Sequence, residues 1–331
     1  MITCAIVGAT GLVGSTFLKV LEEKNLNIDK YYLFASKNSK GKKIHFMDKE
    51  YVVEELTPET PSQRFTYALF SAGSDISKEY AKEFAKYGTT VIDNSSAFRM
   101  DEDIPLVVPE INFNTIKDAK LIANPNCSTI QAMLPLYVLE KNYGIKRIVY
   151  STYQAVSGAG KKGIDDLMHT SYGFKEEKFP HKIYGNCIPH IDSFLENGYT
   201  KEEMKMVNET RKILNNSKLE ITATCVRVPV MNCHSESINI ELKTDFELDK
   251  LMQELSEQQG LVVLDDTRFN IYPLNGFADN KDEVFVGRIR RDYSVPFGLN
   301  IWVVADNIRK GAASNAVQIL ERLIKSKEEQ V

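Results

Sequence analysis

Cysteine is scarce in this chain and irregularly spaced. The 331 residues hold five, Cys4, Cys127, Cys187, Cys225 and Cys233, with no CxxC pair. That argues against a disulfide framework and against a structural zinc site, and no bound metal is expected. An odd set of thiols suits a reducing cytoplasm, and the default reading of any one is a small buried hydrophobe. No stretch approaches the roughly 18 consecutive apolar residues of a membrane span. The N-terminus, Met1-Ile2-Thr3-Cys4-Ala5-Ile6-Val7-Gly8, lacks the basic flank and cleavage site of a signal peptide. An excess of one charge is missing too. The net charge is −4 and no Lys/Arg cluster occurs, which argues against a nucleic-acid partner. There is no internal repeat and no low-complexity segment; only the tail from Ser326 reads as loose.

What is present is an ordinary globular composition, 43% hydrophobic and 26% charged. The chain is too long for one core to grow comfortably, so two domains are expected. Residues 4–7, 31–35, 67–71, 90–93, 106–108 and 121–123 read as short buried strands. Helical spacing over 14–23 and 78–87 separates some of them. This alternation predicts an α/β fold with a Rossmann-type, doubly wound parallel sheet. Beyond it come helices at 130–141 and 201–214 and strands at 147–154, 221–228, 237–242, 284–290 and 299–305, with an irregular, partly helical stretch at 158–197. That half reads as an α+β domain with a largely antiparallel sheet. The expected division is a dinucleotide-binding domain over 1–126 and a catalytic and dimerisation domain over 127–311. An amphipathic helix at 312–327, with Ala316, Ile319, Leu320 and Leu323 on one stripe, packs back onto the first.

Gly8-Ala9-Thr10-Gly11-Leu12-Val13-Gly14 follows the first strand and opens the first helix. Glycines allow a sharp turn and close approach to a pyrophosphate, and the helix N-terminus offers N–H groups and a positive dipole end. Gly8, Thr10, Gly11, Leu12, Val13 and Gly14 are therefore candidate cofactor contacts. The GxxGxxG spacing is a variant of the usual fingerprint, and a tight turn without a ligand is the alternative. After the second strand, Ala35-Ser36-Lys37-Asn38-Ser39-Lys40-Gly41-Lys42 holds no carboxylate, two serines and three lysines. An acidic residue there would repel a 2′-phosphate; its absence, with Ser36 and Ser39, predicts NADP. The other reading of the lysines is a solvated loop.

Asn124-Pro125-Asn126-Cys127-Ser128-Thr129 lies between the last predicted parallel strand and a helix. A cysteine at a helix N-terminus feels the dipole, which favours the thiolate. Its own N–H, with the Asn126 amide, can steady an oxyanion. A thiolate working with a nicotinamide points to aldehyde oxidation through a thiohemiacetal and a thioester.

Residues 123–131, Ala-Asn-Pro-Asn-Cys-Ser-Thr-Ile-Gln, resemble the nucleophile motif of the aspartate-semialdehyde dehydrogenases. Residues 151–160, Ser-Thr-Tyr-Gln-Ala-Val-Ser-Gly-Ala-Gly, and Cys225-Val226-Arg227-Val228-Pro229-Val230 with His234-Ser235-Glu236-Ser237 resemble two further motifs of that family. The similarity runs from Gly8 to Gly311. It implies a reversible, NADP- and phosphate-dependent interconversion of aspartate 4-semialdehyde and 4-phospho-aspartate, in lysine (by way of diaminopimelate), threonine and methionine biosynthesis, by a cytoplasmic homodimer or homotetramer.

It also implies roles. Cys127 is the nucleophile and His234 the acid/base, suited to neutral pH by an ordinary value near 6.5. By composition alone His234 is a hydrogen-bonded surface residue, as His45, His169, His181 and His190 are read. Arg227 holds the substrate α-carboxylate by a two-bond fork; a surface ion pair is its plainer reading. Glu202, or its neighbour Glu203, meets the substrate amine. Lys205 and Arg99 bind phosphate, although Glu202 and Lys205 at i,i+3 also suit a solvated ion pair. Gln154 orients the substrate or thioester carbonyl, Ser157 and Gly158 approach the nicotinamide ribose, and Asn307 takes the carboxamide.

Two alternatives remain. An N-acetyl-glutamyl-phosphate reductase has a nucleophile motif resembling Ser-Asn-Pro-Gly-Cys-Tyr, absent here. A non-catalytic dinucleotide-binding scaffold would lack the nucleophile or the base, and both are present.

Overall fold

A computed structural model describes residues 1–328. The chain divides into two compact units, one of residues 1–125 and 312 onward, the other of Asn126–Gly311.

The first unit holds β1 (Thr3–Val7), α1 (Leu12–Lys24), β2 (Lys30–Ala35), β3 (Lys43–Phe46), β4 (Lys49–Val52), β5 (Glu54–Glu55), β6 (Tyr67–Phe70), α2 (Ser74–Lys86), β7 (Thr90–Asp93), α3 (Pro109–Asn112) and β8 (Leu121–Ala123). Six strands form a parallel sheet in the order β5-β2-β1-β6-β7-β8. Strands inside such a sheet are covered on both faces, so Thr3–Val7 and Tyr67–Phe70 are buried at every position. Strand order reverses between β1 and β6, and Gly8 stands at the carboxyl end of β1, where ligands of doubly wound sheets bind.

The C-terminal helix Ser314–Glu328 belongs to this unit. Its Ala316, Val317, Ile319, Leu320 and Ile324 share a core with Phe17, Leu21, Leu33 and Leu69. Asn315 Nδ2 donates to Asn124 Oδ1 at 2.7 Å and to the Val107 carbonyl at 3.0 Å. The expected loose tail is corrected up to Glu328, which is helical; residues 329–331 lie outside the described residues. The strand expected at 106–108 is also corrected. Leu106 makes an isolated bridge to Ala123, and Pro109, whose fixed φ suits a first helical turn, starts α3 instead.

The second unit holds α4 (Cys127–Tyr143), β9 (Ile145–Gln154), α5 (Lys161–Ser171), α6 (Lys201–Ile213), β10 (Glu220–Arg227), β11 (His234–Leu242), α7 (Leu248–Ser256), β12 (Leu261–Val263), α8 (Asn275–Ala278), β13 (Val284–Asp292) and β14 (Gly298–Ala305). Its sheet runs β10-β9-β11-β14-β13-β12. The three central pairings are antiparallel and the two outer ones parallel. On β11, His234, Glu236, Ile238, Ile240 and Leu242 are buried while Ser237, Asn239 and Glu241 are partly exposed, so one sheet face is covered and the other is not. α4 is buried on nearly every side and packs on β9, β11 and β14. It starts at Cys127 because Asn126 caps it, and it carries Pro135 in its interior.

Candidate active site

In the first unit the glycine turn is shaped for close approach. Gly8 has φ +90°, and a Cβ there would lie 2.8 Å from Ser71 backbone atoms. A Cβ on Gly14 would meet the Gly8 carbonyl oxygen at 2.0 Å, so only glycine lets α1 begin this close to β1. The Gly8 and Ala9 N–H groups both donate to the Phe34 carbonyl, at 2.8 and 3.1 Å. No side chain caps α1, and an uncapped helix N-terminus suits an anion. Thr10 Oγ1 lies 3.3 Å from Ser39 Oγ, which joins the glycine turn to the serine loop. Ser36 precedes a short 3₁₀ turn, Lys37–Ser39. Lys40 is paired with Glu55 at 3.3 Å. These residues fit a dinucleotide.

The other candidates cluster in the second unit around the start of α4. Asn126 sits at φ −61°, ψ 146°, and its Oδ1 accepts from the Ser128 and Thr129 N–H groups at 3.0 and 3.4 Å. Its own backbone N–H donates to Glu209 Oε2 at 2.7 Å, and its Nδ2 donates to Glu202 Oε1 at 3.0 Å. Gln154 Nε2 donates to the same Glu202 oxygen at 3.2 Å. Lys205 Nζ reaches Glu202 Oε2 at 3.1 Å and Asp192 Oδ2 at 2.8 Å. Burial works to raise the Glu202 pKa, but Lys205, aided by the Asn126 and Gln154 donors, outweighs it and holds the carboxyl below its ordinary value. Cys127 itself is partly exposed.

Glu203 is committed elsewhere. Thr200 and Glu203 close a capping box at the start of α6, and Glu203 Oε1 accepts from the Cys225 N–H at 3.1 Å. Glu202, not Glu203, is therefore the acidic group in contact with Asn126 and Gln154.

Arg227 and His234 end β10 and begin β11, and both border Gly158. A Cβ on that glycine would lie 2.8 Å from Arg227 Nη1 and 3.2 Å from His234 Nε2. Arg227 is buried and donates to the Ala155 carbonyl at 2.5 Å. Among the described residues no carboxylate lies within ion-pair distance of it, so the plainer surface-pair reading is corrected. Burial, only partly offset by the charges of Glu202 and Cys127, lowers its pKa.

His234 is fully buried. Its Nδ1 accepts from the Ala155 N–H at 3.0 Å, which places the proton of the neutral ring on Nε2. Nε2 has no hydrogen-bond partner among the described residues. Burial and then Arg227 push the imidazole pKa down to about 3, which corrects the expectation that this residue titrates near neutrality.

Asn307 Oδ1 accepts from the Cys233 N–H at 2.9 Å and its Nδ2 donates to Ser157 Oγ at 3.1 Å, so Asn307, Ser157 and Gly158 stand together in the second unit. Arg99, in the first unit, donates to the carbonyls of Asn124 and Asn94 at 2.8 and 2.9 Å.

Sequence reasoning missed three contributors: Glu209, the Ala155 N–H, and Gly311, where a Cβ would lie 2.9 Å from that of Cys127. Glu209 lies two helical turns beyond Glu202 on the same face of α6, a spacing that could have flagged it. Cys233, Asp279 and Asp306 bring ligand-type atoms within 4.8 Å of one another. Both Asp306 oxygens, however, already accept from the N–H groups of Asn280, Ile308 and Arg309.

Residues 3–119 match the family model described as semialdehyde dehydrogenase, NAD binding domain, and residues 135–310 match semialdehyde dehydrogenase, dimerisation domain. The class defined is an oxidoreductase that acts on an aldehyde. The chain is 53% identical over 331 residues to the aspartate-semialdehyde dehydrogenase of Aquifex aeolicus (strain VF5), covering 97% of each. It superposes with a TM-score of 0.93 and 45% identity on a crystal structure of aspartate semialdehyde dehydrogenase II complexed with ASA from Vibrio cholerae, over 98% of both chains. A Candida albicans aspartate semialdehyde dehydrogenase with NADP aligns at a TM-score of 0.77 and 25% identity, again over 98% of both. The chain belongs to the aspartate-semialdehyde dehydrogenase family. No helix among the described residues is long and apolar enough to cross a membrane.

Proposed function

We propose that this chain interconverts aspartate 4-semialdehyde and 4-phospho-aspartate, using NADP and inorganic phosphate, through a thioester on Cys127. One observation carries the reading. Arg227 is a buried guanidinium with no carboxylate partner among the described residues, a few ångströms from a histidine whose Nε2–H is also unpartnered. A buried charge without a counterion costs stability unless a ligand completes it, and a guanidinium fork is matched by an α-carboxylate. Glu202 supplies the complementary anion for the substrate amine.

The Cys127 thiolate attacks the aldehyde carbon and a C–S bond forms. The carbonyl oxygen becomes an alkoxide, steadied by the His234 Nε2–H and the Asn126 region. Taking up the Cys127 proton at Nε2 would require the ring proton on Nδ1, pointing at the Ala155 N–H. The residue therefore serves as a hydrogen-bond donor to the adduct oxygen. Gln154 orients the carbonyl. NADP, when bound, supplies the hydride acceptor; Gly8, Thr10, Gly11, Leu12, Val13, Gly14, Ser36 and Ser39 would hold it, with Ser157, Gly158 and Asn307 toward its nicotinamide. The Candida albicans relative, solved with NADP, supports the choice of dinucleotide. Phosphate, held by Lys205 and Arg99, then attacks the thioester carbon and the thiolate leaves. In biosynthesis of lysine, threonine and methionine the flow runs from the acyl phosphate to the aldehyde.

We further infer that copies pair through the second unit, as a homodimer or homotetramer in the cytoplasm. Tyr153 and Trp302, with ring centroids 5.6 Å apart, stand on the uncovered sheet face beside exposed Leu274, an apolar surface that pairing would cover.

The test is NADPH formation from aspartate semialdehyde with and without phosphate, for wild type, Cys127→Ser and Arg227→Lys. Phosphate-dependent turnover that Cys127→Ser abolishes, with KM raised about tenfold or more in Arg227→Lys, is expected. Full activity in Cys127→Ser would sink the mechanism.

A further inference from the structure

Asn126 is held from two successive stations on one helix. Glu202 Oε1 takes its side-chain amide at 3.0 Å, and Glu209 Oε2 takes its backbone N–H at 2.7 Å. The two acids are seven residues apart, about two turns of α6, and face the same way. Glu209 is almost fully buried, at 1% exposure, and so is not a surface acid resting there by chance. Its neighbour Thr210 is fixed as well, with Oγ1 2.9 Å from Tyr150 Oη on β9, which pins this part of α6 to the sheet. The N–H that Glu209 accepts from belongs to the residue immediately before the nucleophile. The Asn126 side-chain oxygen caps the Ser128 and Thr129 N–H groups of α4, while its own N–H is met by Glu209.

We propose that Glu209 is the positioning residue for the nucleophile: its carboxyl oxygen fixes the Asn126 peptide and with it the orientation of Cys127 at the start of α4. This rests on the reading of Cys127 as the nucleophile. Glu202 is reserved by that reading for the substrate amine, and a contact that must also serve a ligand cannot alone hold the turn. Glu209 is the anchor that does not change partners during turnover. At Asn126 its work is to accept a hydrogen bond, so an amide oxygen at the same place serves there as well, and an apolar side chain of the same length does not.

The experiment compares Glu209→Gln, Glu209→Met and Glu209→Asp in the full-length protein. Turnover is read alongside the rate at which iodoacetamide alkylates Cys127, with peptide mass mapping and exposed Cys187 as the internal reference. Glu209→Gln is expected within about twofold of wild type in both readouts, and Glu209→Met about tenfold or more slower in both, with substrate KM moved less than about threefold. Alkylation of Cys187 stays unchanged, which a general loosening would not leave so. Should Glu209→Met fail to fold, Glu209→Asp, which withdraws the acceptor by one methylene, reads the same loss. Normal Cys127 alkylation in both Glu209→Met and Glu209→Asp overturns the proposal, and so does a Gln variant as impaired as Met. Cys127→Ser separates the two layers. If it keeps turnover, the nucleophile reading has failed; if it is inactive while Glu209→Met is normal, only the role of Glu209 has.

Discussion

Glu202 and Glu203 are chain neighbours with opposite commitments. Glu202 Oε1 accepts from Asn126 and Gln154, while Glu203 folds back on Thr200 and holds the Cys225 N–H. Substituting each by alanine should therefore separate stability from binding. Glu203→Ala is expected to lose about 1–2 kcal/mol in denaturant unfolding with KM unchanged, the usual consequence of removing a helix cap. Glu202→Ala is expected to raise the KM for the aldehyde by about tenfold or more. Equal KM values in the two variants would contradict the assignment.

His234 gives a pH prediction. Its folded value, about 3, lies below the ordinary value of about 6.5. Between these values the unfolded chain takes up a proton that the folded chain refuses. The contribution of the neutral ring is thus fully present above about pH 6.5 and is lost as pH falls toward about 3, by up to about 1.4 kcal/mol per pH unit. Unfolding free energies from pH 7 to 4 should show this slope in wild type and not in His234→Gln. In wild type, kcat/KM should show no inflection near 6.5 that disappears in the variant's residual activity.

Glu236 carries the opposite sign. It is fully buried, neither carboxyl oxygen has a partner among the described residues, and burial, reinforced by Glu202, raises its pKa well above the ordinary carboxylate value. Below about pH 4 both folded and unfolded states hold the proton. As pH rises the unfolded state releases it first, so the folded state loses ground. Glu236→Gln, neutral at every pH, should melt higher than wild type at pH 8 and nearly match it at pH 4. A variant less stable than wild type at pH 8 would refute the neutral-acid assignment.

Gly311 leaves no room for a side chain. A Cβ there would lie 2.9 Å from the Cβ of Cys127 and 3.3 Å from its Cα, both stiff neighbours. Gly311→Ala should lower kcat by about tenfold or more, because small displacements of a reacting group are costly. Gly276→Ala is the control, since nothing lies within 4 Å of the new methyl. Identical kinetics for the two would show that the nucleophile tolerates the push.

The parts of the fold that could be read from sequence are those decided locally. Thr90–Asp93 and Leu121–Ala123 are short apolar runs between turn residues, and both are strands over those bounds. The hairpin Lys43–Val52 is hidden in the sequence because each strand is only four residues long and, of the eight strand residues, Phe46 alone is buried, too short a signal to stand out. Helical spacing alone starts α4 at Ile130, since Cys127, Ser128 and Thr129 are indifferent helix formers; the Asn126 cap overrides that preference. In the site, residue types could be assigned, but environments could not. The depressed basicity of His234 comes from burial and a guanidinium on another strand. Glu209 meets Asn126 across 83 positions of chain, and its spacing two turns beyond Glu202 is the one sequence trace of that contact.

The C-terminal helix completes a core begun by the first strands, its Ile319 and Leu320 packing with Phe17 and Leu33. During synthesis the parallel sheet must therefore wait, with part of its apolar surface uncovered, while the entire second unit is translated. The unit encoded first is the one finished last, and it is the one most in need of protection from aggregation on the ribosome.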